Sequence, residues 1–127
     1  MLRAVLLMGL LWLFGLSAAP SGAAELVMFE QAGCAWCARW HAEIGPAYPR
    51  TAEGRAAPLR RVDLRAARPD DLKAIGGVVH TPTFVLVEDG REVGRILGYP
   101  GDAFFWGMLA ELVAKLPKPD TRTTALP

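Results

Sequence analysis

Residues 26–44 read Leu-Val-Met-Phe-Glu-Gln-Ala-Gly-Cys-Ala-Trp-Cys-Ala-Arg-Trp-His-Ala-Glu-Ile, with cysteines at positions 34 and 37. The apolar run over residues 26–29 is typical of a buried β-strand. After Cys34, apolar side chains recur every three or four residues, which predicts an amphipathic helix ending at Ile44 or Tyr48, where Gly and Pro residues interrupt the pattern. The stretch therefore places the first cysteine where a strand passes into a helix.

The two cysteines are better suited to chemistry than to stabilising a fold. A disulfide between them closes a ring of four residues, which stabilises by about 2 kcal/mol at most, against about 4.7 kcal/mol for a loop of about 100 residues. In the first helical turn, unpaired N–H groups and the helix dipole stabilise a thiolate on Cys34. Cys37 lies one turn further and faces the core. The spacing predicts an attacking thiolate at Cys34 and a resolving thiol at Cys37.

The N-terminal segment predicts export. Arg3 precedes an apolar run from Ala4 to Leu16, and small residues follow as far as Ala24. These are the three parts of a secretory signal. A membrane-spanning helix needs about 17–25 apolar residues, so we expect a signal peptide over residues 1–24, cleaved after Ala24, rather than a retained tether.

Length and charge exclude several classes of function. The chain has 127 residues, with 14 Lys+Arg against 13 Asp+Glu. The length fits a single domain, expected over residues 25–116. The balanced charge gives no reason to expect nucleic acid or an anionic membrane surface as a partner. Residues 117–127 are rich in Pro and Thr, and we expect a flexible tail there.

The rest of the chain predicts the element order β-α-β-α-β-β-α. Beyond the first strand and helix, the predicted elements are a strand Leu59–Leu64, a short helix Asp70–Ile75, strands Phe84–Val87 and Val93–Leu97, and a helix Asp102–Leu116. The two later strands are expected to form an antiparallel hairpin across Asp89-Gly90. Asp102 is the expected N-cap of the last helix.

With this order of elements and a Cys-x-x-Cys pair at the first strand-to-helix junction, the chain resembles the thioredoxin superfamily. A second stretch, Thr81-Pro82-Thr83-Phe84, supports the resemblance. It implies a compact α/β fold, a four-stranded mixed sheet flanked by helices. It also implies that Pro82 is cis and faces the cysteines, that the Thr81 backbone pairs with an incoming peptide, and that Gly98 lies beside the active site.

Residues 28–41, followed by Glu43-Ile44-Gly45-Pro46, are similar to the periplasmic thioredoxins encoded with bacterial sulfur-oxidation (Sox) systems. This resemblance implies a periplasmic thiol-disulfide oxidoreductase that keeps a carrier-protein cysteine reduced. Its substrate would be a protein disulfide or persulfide, and a membrane electron donor would reduce it again. We expect a monomer that needs no cofactor beyond its own Cys34–Cys37 pair.

The chain departs from ordinary thioredoxins at the family's buried acid, whose position is taken by Met28. A methionine cannot accept the proton that Cys37 must lose. Asp63, Glu30 and His41 are the candidate substitutes. His41 could instead be an ordinary helix-face histidine, and Asp63 an ordinary strand-end acid paired with a neighbouring arginine.

Two alternatives stay open. Ala35-Trp36 replaces the usual residues between the cysteines, so the direction of the reaction could be that of an oxidant or isomerase. Trp36 is expected to be exposed and to contact substrate. A copper or zinc site with Cys34, Cys37 and His41 or His80 is the other alternative, although the histidine spacing fits no zinc-finger pattern.

Overall fold

A four-stranded mixed sheet organises the chain, and the computed structural model describes residues 23–118. The strands are β1 (Glu25–Glu30), β2 (Leu59–Asp63), β3 (Thr83–Glu88) and β4 (Arg91–Leu97). The α-helices are α1 (Ala35–Glu43), α2 (Ala52–Ala56) and α3 (Asp102–Val113), and 3-10 helices occupy Tyr48–Arg50 and Asp70–Leu72. The expected signal peptide, apart from its last two residues, and the expected tail beyond Lys118 lie outside the described residues.

The strand order is β2-β1-β3-β4, which confirms the mixed sheet. β1 pairs in parallel with β2 and antiparallel with β3, and β3 and β4 form the expected antiparallel hairpin. Asp89 and Gly90 both have positive φ at the hairpin turn, the conformation that a two-residue turn of this kind requires.

β1 is buried on both faces, which explains its unbroken apolar run. Leu26 and Met28 belong to the core on the side of α1 and α3. Val27 and Phe29 belong to a second core on the opposite face, which includes Leu72. Both cores therefore anchor the strand that leads into the cysteine pair.

Trp40 stands at the centre of the first core. It is fully buried, and its ring centroid lies 5.2 Å from that of Phe84 and 5.7 Å from that of Phe105. Tyr48, at 6.0 Å from Trp40, donates a hydrogen bond from its hydroxyl to the carbonyl of Ala57 at 2.6 Å. These contacts hold α1, and with it the cysteine pair, against the sheet.

Several element boundaries differ from the sequence prediction. The helix expected over 70–75 is a 3-10 helix over Asp70–Leu72, because its backbone hydrogen bonds, such as the one from the Leu72 N–H to the Pro69 carbonyl at 3.0 Å, span three residues and not four. α3 ends at Val113, three residues early, and its N-cap is Gly101, with φ of 101°, rather than Asp102. β2 ends one residue early, at Asp63.

The segment between α1 and β2 carries structure that the sequence analysis missed. A 3-10 helix at Tyr48–Arg50 leads into α2. The Thr51 hydroxyl accepts a hydrogen bond from the Gly54 N–H at 3.0 Å and caps α2. Within residues 23–118, no helix has the length and apolar character needed to cross a bilayer.

Candidate active site

The two cysteines form a disulfide at the start of α1. Cys34 is the N-cap residue, and its Sγ accepts a hydrogen bond from the Cys37 N–H at 3.1 Å. Cys34 is partly exposed, whereas Cys37 is 4% exposed and belongs to the core. An N–H group of the first helical turn therefore points at the sulfur that would carry the thiolate after reduction, in the asymmetric arrangement that the sequence predicted.

The loop before β3 carries the Thr81–Pro82 peptide bond, which is cis, as the family resemblance implied. Hydrogen bonds fix this loop on two sides. The Gln31 side chain donates to the Thr81 hydroxyl at 3.0 Å, and the Gly98 N–H donates to the Pro82 carbonyl at 2.8 Å. Gly98 has a φ of 74°, which a side chain would strain. Three of the four substrate-binding candidates, Thr81, Pro82 and Gly98, thus come together.

An apolar groove of about 290 Å³ runs between the cysteine helix and this loop. Trp36 forms one wall and is 54% exposed, as expected. The other lining residues are Thr81, Pro82, Leu97, Gly98, Tyr99 and Pro100. A protein segment lying in this groove would contact the residue between the two cysteines.

A second groove, of about 480 Å³, lies beside the cysteines and has charged side chains in its lining. Cys34 and Cys37 line it together with Glu30, His41 and Arg61. The His41 Nε2 and the Glu30 Oε2 share a hydrogen bond of 2.8 Å, and Arg61 donates to the same carboxylate from Nε at 3.1 Å. Burial alone would raise the pKa of Glu30, but the hydrogen bonds from Arg61 and His41 outweigh it, so this pKa lies below its usual value.

Two of the three proton-relay candidates lie together beside the cysteines, and the third lies elsewhere. Glu30 and His41 form one pair beside the cysteines. Asp63 is exposed, and its Oδ1 accepts a hydrogen bond from the Arg65 backbone N–H at 2.8 Å, which fixes the turn after β2. Met28 is fully buried at the position of the family's acid.

Two residues of the site were missed by the sequence analysis. Gln31 supports the Thr81 side chain. Glu43 accepts a hydrogen bond from the Tyr99 hydroxyl across 56 residues of sequence. No periodic pattern links positions so far apart, and only the fold brings them together.

Metal ligands do not converge in the described part of the chain. No group of three or more His, Cys, Asp or Glu side chains among residues 23–118 could hold a metal ion. A cavity of about 550 Å³ lies at the opposite end of the strands, where Ala24, Pro58 and Val113 are among its lining residues.

Comparison with known proteins found one close relative of solved structure. No protein-family model and no curated protein matches the chain. The crystal structure of the reduced periplasmic thioredoxin SoxS from Paracoccus pantotrophus is 53% identical, with 72% of this chain and 97% of that chain covered and a TM-score of 0.70.

At this identity and coverage, the likeness shows the family and not only the fold. The disulfide-bonded pair at the start of α1 supplies the chemistry that the likeness requires, and the Thr81–Pro82 bond is cis. The chain belongs to the thioredoxin family and is a thiol-disulfide oxidoreductase.

Proposed function

We propose that this protein is an exported reductant that keeps a cysteine of a partner protein reduced during bacterial sulfur oxidation. The observation that carries the proposal is the asymmetric cysteine pair, a partly exposed Cys34 and a buried Cys37, with the groove lined by Trp36 and Pro82 beside it. The likeness to a protein described as a periplasmic thioredoxin supports both the reducing direction and a periplasmic location.

The reaction begins with the pair in its dithiol form. The Cys34 thiolate attacks one sulfur of a disulfide on the partner, and the bond between the two partner sulfurs breaks. A mixed disulfide forms between Cys34 and the attacked sulfur. The other partner sulfur leaves as a thiolate and takes up a proton. The N–H of Cys37, which lies 3.1 Å from the Cys34 sulfur, stabilises the attacking thiolate.

Cys37 then resolves the mixed disulfide. Its thiol loses a proton, and the thiolate attacks the Cys34 sulfur, so the second partner sulfur leaves and is protonated. The partner gains two electrons and two protons, and the Cys34–Cys37 disulfide forms. A dithiol donor in the membrane returns the two electrons. A persulfide on the partner reacts in the same way, with sulfide as the first leaving group.

For the proton of Cys37 we propose the Glu30–His41 pair as acceptor. The two side chains line the groove that contains Cys37. A neutral His41 can accept a proton, and the Glu30 carboxylate 2.8 Å away stabilises the resulting imidazolium. Asp63 is a poorer candidate, because its carboxylate holds the turn after β2.

For substrate binding we propose the apolar groove. Trp36 and Pro82 would contact side chains of the partner, and the Thr81 backbone would pair with its main chain. Gly98 keeps this wall of the groove free of a side chain that would obstruct the partner.

For the organisation of the chain we propose a signal peptide over residues 1–24, a thioredoxin-like domain over 25–116 and a tail over 117–127. β1 begins at Glu25, so cleavage after Ala24 leaves every strand of the sheet intact. The exported protein would act as a monomer, with its two cysteines as its only redox group. The mass of the exported protein tests the cleavage position.

The reduction potential of the Cys34–Cys37 pair tests the direction of the reaction. A reductant of this family has a potential near about −270 mV, and a periplasmic oxidant has one near about −120 mV. Equilibration of the purified protein with glutathione or dithiothreitol buffers should give a value near the lower potential. A value near the higher one would make the protein an oxidant and contradict the proposal.

A further inference from the structure

The carboxylate of Glu43, at the end of α1, joins the two walls of the apolar groove. One oxygen, Oε1, accepts a hydrogen bond from Arg39 Nε at 2.7 Å. The other, Oε2, accepts one from the Tyr99 hydroxyl at 2.6 Å. No part of the reaction described above uses this carboxylate.

Through Arg39, Glu43 is connected to the wall of the groove that Trp36 forms. The Arg39 guanidinium carbon lies 5.4 Å from the centroid of the Trp36 ring, within the range of a cation–π contact. Glu43 therefore holds Arg39 where its charge faces the exposed indole between the cysteines. Without this contact, an indole that is 54% exposed would have more freedom to rotate.

Through Tyr99, Glu43 is connected to the opposite wall of the groove, which residues 98–100 form. Tyr99 lines the groove directly after Gly98, is only 6% exposed and packs edge-on against Phe105, with ring centroids 6.1 Å apart. Burial, with the hydrogen bond to Glu43, raises the pKa of Tyr99 to about 12, so its hydroxyl remains a donor at neutral pH. A hydrogen bond to a carboxylate is stronger than one between neutral groups.

We propose that Glu43 is a positioning residue that fixes the distance between Trp36 and the Gly98–Pro100 wall, and so sets how tightly protein substrates dock. The proposal rests on the proposed function, since it assumes that substrates enter between these walls. A protein substrate contacts both walls, whereas a small aromatic disulfide needs only Cys34. Loss of the carboxylate should therefore weaken protein docking without slowing the exchange itself.

The experiment compares two substrates, insulin and a small aromatic disulfide, with four forms of the protein. These are the wild type, Glu43→Ala, Tyr99→Phe and the double variant. We expect KM for insulin to rise about threefold to tenfold in each single variant, as the loss of a hydrogen bond to a charged group implies. The rate with the small disulfide should stay within about twofold of the wild type.

The double variant tests whether the two residues act as one unit. If the Tyr99 hydroxyl acts through Glu43, the double variant should have the same KM for insulin as Glu43→Ala. If the two residues acted independently, the rise in KM would be the product of the two single rises. Asp70→Asn is the matched control, because Asp70 and Lys73 form an exposed ion pair in another part of the fold, and it should leave both substrates unaffected. Glu43→Gln should raise KM for insulin less than Glu43→Ala does, since its amide oxygen can still accept a hydrogen bond from the Tyr99 hydroxyl.

The outcomes that overturn the inference are specific. An unchanged KM for insulin in Glu43→Ala and Tyr99→Phe would show that the carboxylate does not position the groove. An equal loss with both substrates would show a general disturbance of α1 instead. If the wild type itself fails to reduce insulin, the proposed function fails, and that result is distinguishable because no variant is needed to obtain it.

Discussion

At the scale of single residues, the resolving step depends on which group accepts the proton of Cys37. Met28 is buried where the family has an acid, and it can accept no proton. Glu30 and His41, joined by a hydrogen bond of 2.8 Å in the groove that Cys37 also lines, are the acceptor that we propose instead. On this proposal, the proton is accepted in an open groove and not within the core.

Replacement of His41 by Gln should slow the resolving step. General-base catalysis contributes about 10²–10⁴-fold in enzymes, so we expect a loss of at least about tenfold near neutral pH. The loss should shrink well above pH about 8.5, because a cysteine then ionises without a base. The rate at which Cys37 releases a preformed mixed disulfide on Cys34, followed against pH, measures the effect. An equal loss at every pH would mean that His41 only supports the helix.

Replacement of Arg61 by Ala should raise the pKa of Glu30. The carboxylate would lose the charge-assisted hydrogen bonds from two N–H groups of Arg61, Nε and Nη2, while its burial would remain. A lowered pKa stabilises the fold above the unfolded-state pKa, and this stabilisation disappears as pH falls through the folded-state value. The variant should thus be less stable than the wild type at pH 7, and the gap should close in acid.

Two measurements check the Arg61 prediction. An NMR titration of the Glu30 carboxyl should show the higher pKa directly. Urea unfolding should show a loss of stability below about 1 kcal/mol at neutral pH, because Arg61 is 61% exposed and water screens the pair. Lys73→Ala, which breaks an exposed ion pair elsewhere, should leave the Glu30 titration unchanged. A Glu30 pKa that does not move would show that Arg61 contributes nothing to it.

At the scale of elements, the sequence predicted the helices and strands that have a strong apolar pattern and missed those that have none. β1, α1 and the β3–β4 hairpin follow from apolar periodicity and from the Asp89-Gly90 turn. α2 has five residues and a central glycine, so it gives no period to detect, and only the capping residue Thr51 could have indicated it.

Gly54 and Gly107 test the packing of α2 and α3 as a matched pair. A Cβ on Gly54 would lie 1.8 Å from the backbone oxygen of Tyr48, whereas a Cβ on Gly107 would meet nothing within 4 Å. Gly54→Ala should destabilise the protein by about 1–3 kcal/mol through overpacking. Gly107→Ala should stabilise it by about 0.4–1 kcal/mol through lower unfolded-state entropy. Chemical denaturation of both variants checks this, and a neutral Gly54→Ala would mean that the 3-10 helix can move aside.

At the scale of the whole molecule, the fold brings three segments that are distant in sequence to the same end of the strands. The cysteine pair follows β1, the cis Thr81–Pro82 bond precedes β3, and Gly98 follows β4. Sequence spacing and family resemblance were enough to predict these three. The Glu43–Tyr99 contact was not predictable, because it depends on how the end of α1 meets the loop after β4.

The central claim is that Cys34 attacks and Cys37 resolves, and one mass measurement tests it most directly. Reduced Cys37→Ser protein, mixed with a protein disulfide and digested, should carry the partner covalently on Cys34, because the resolving thiol is absent. Cys34→Ser protein treated in the same way should carry no partner, since Cys37 is buried. A stable adduct on Cys37, or disulfide reduction that persists in Cys34→Ser, would contradict the account.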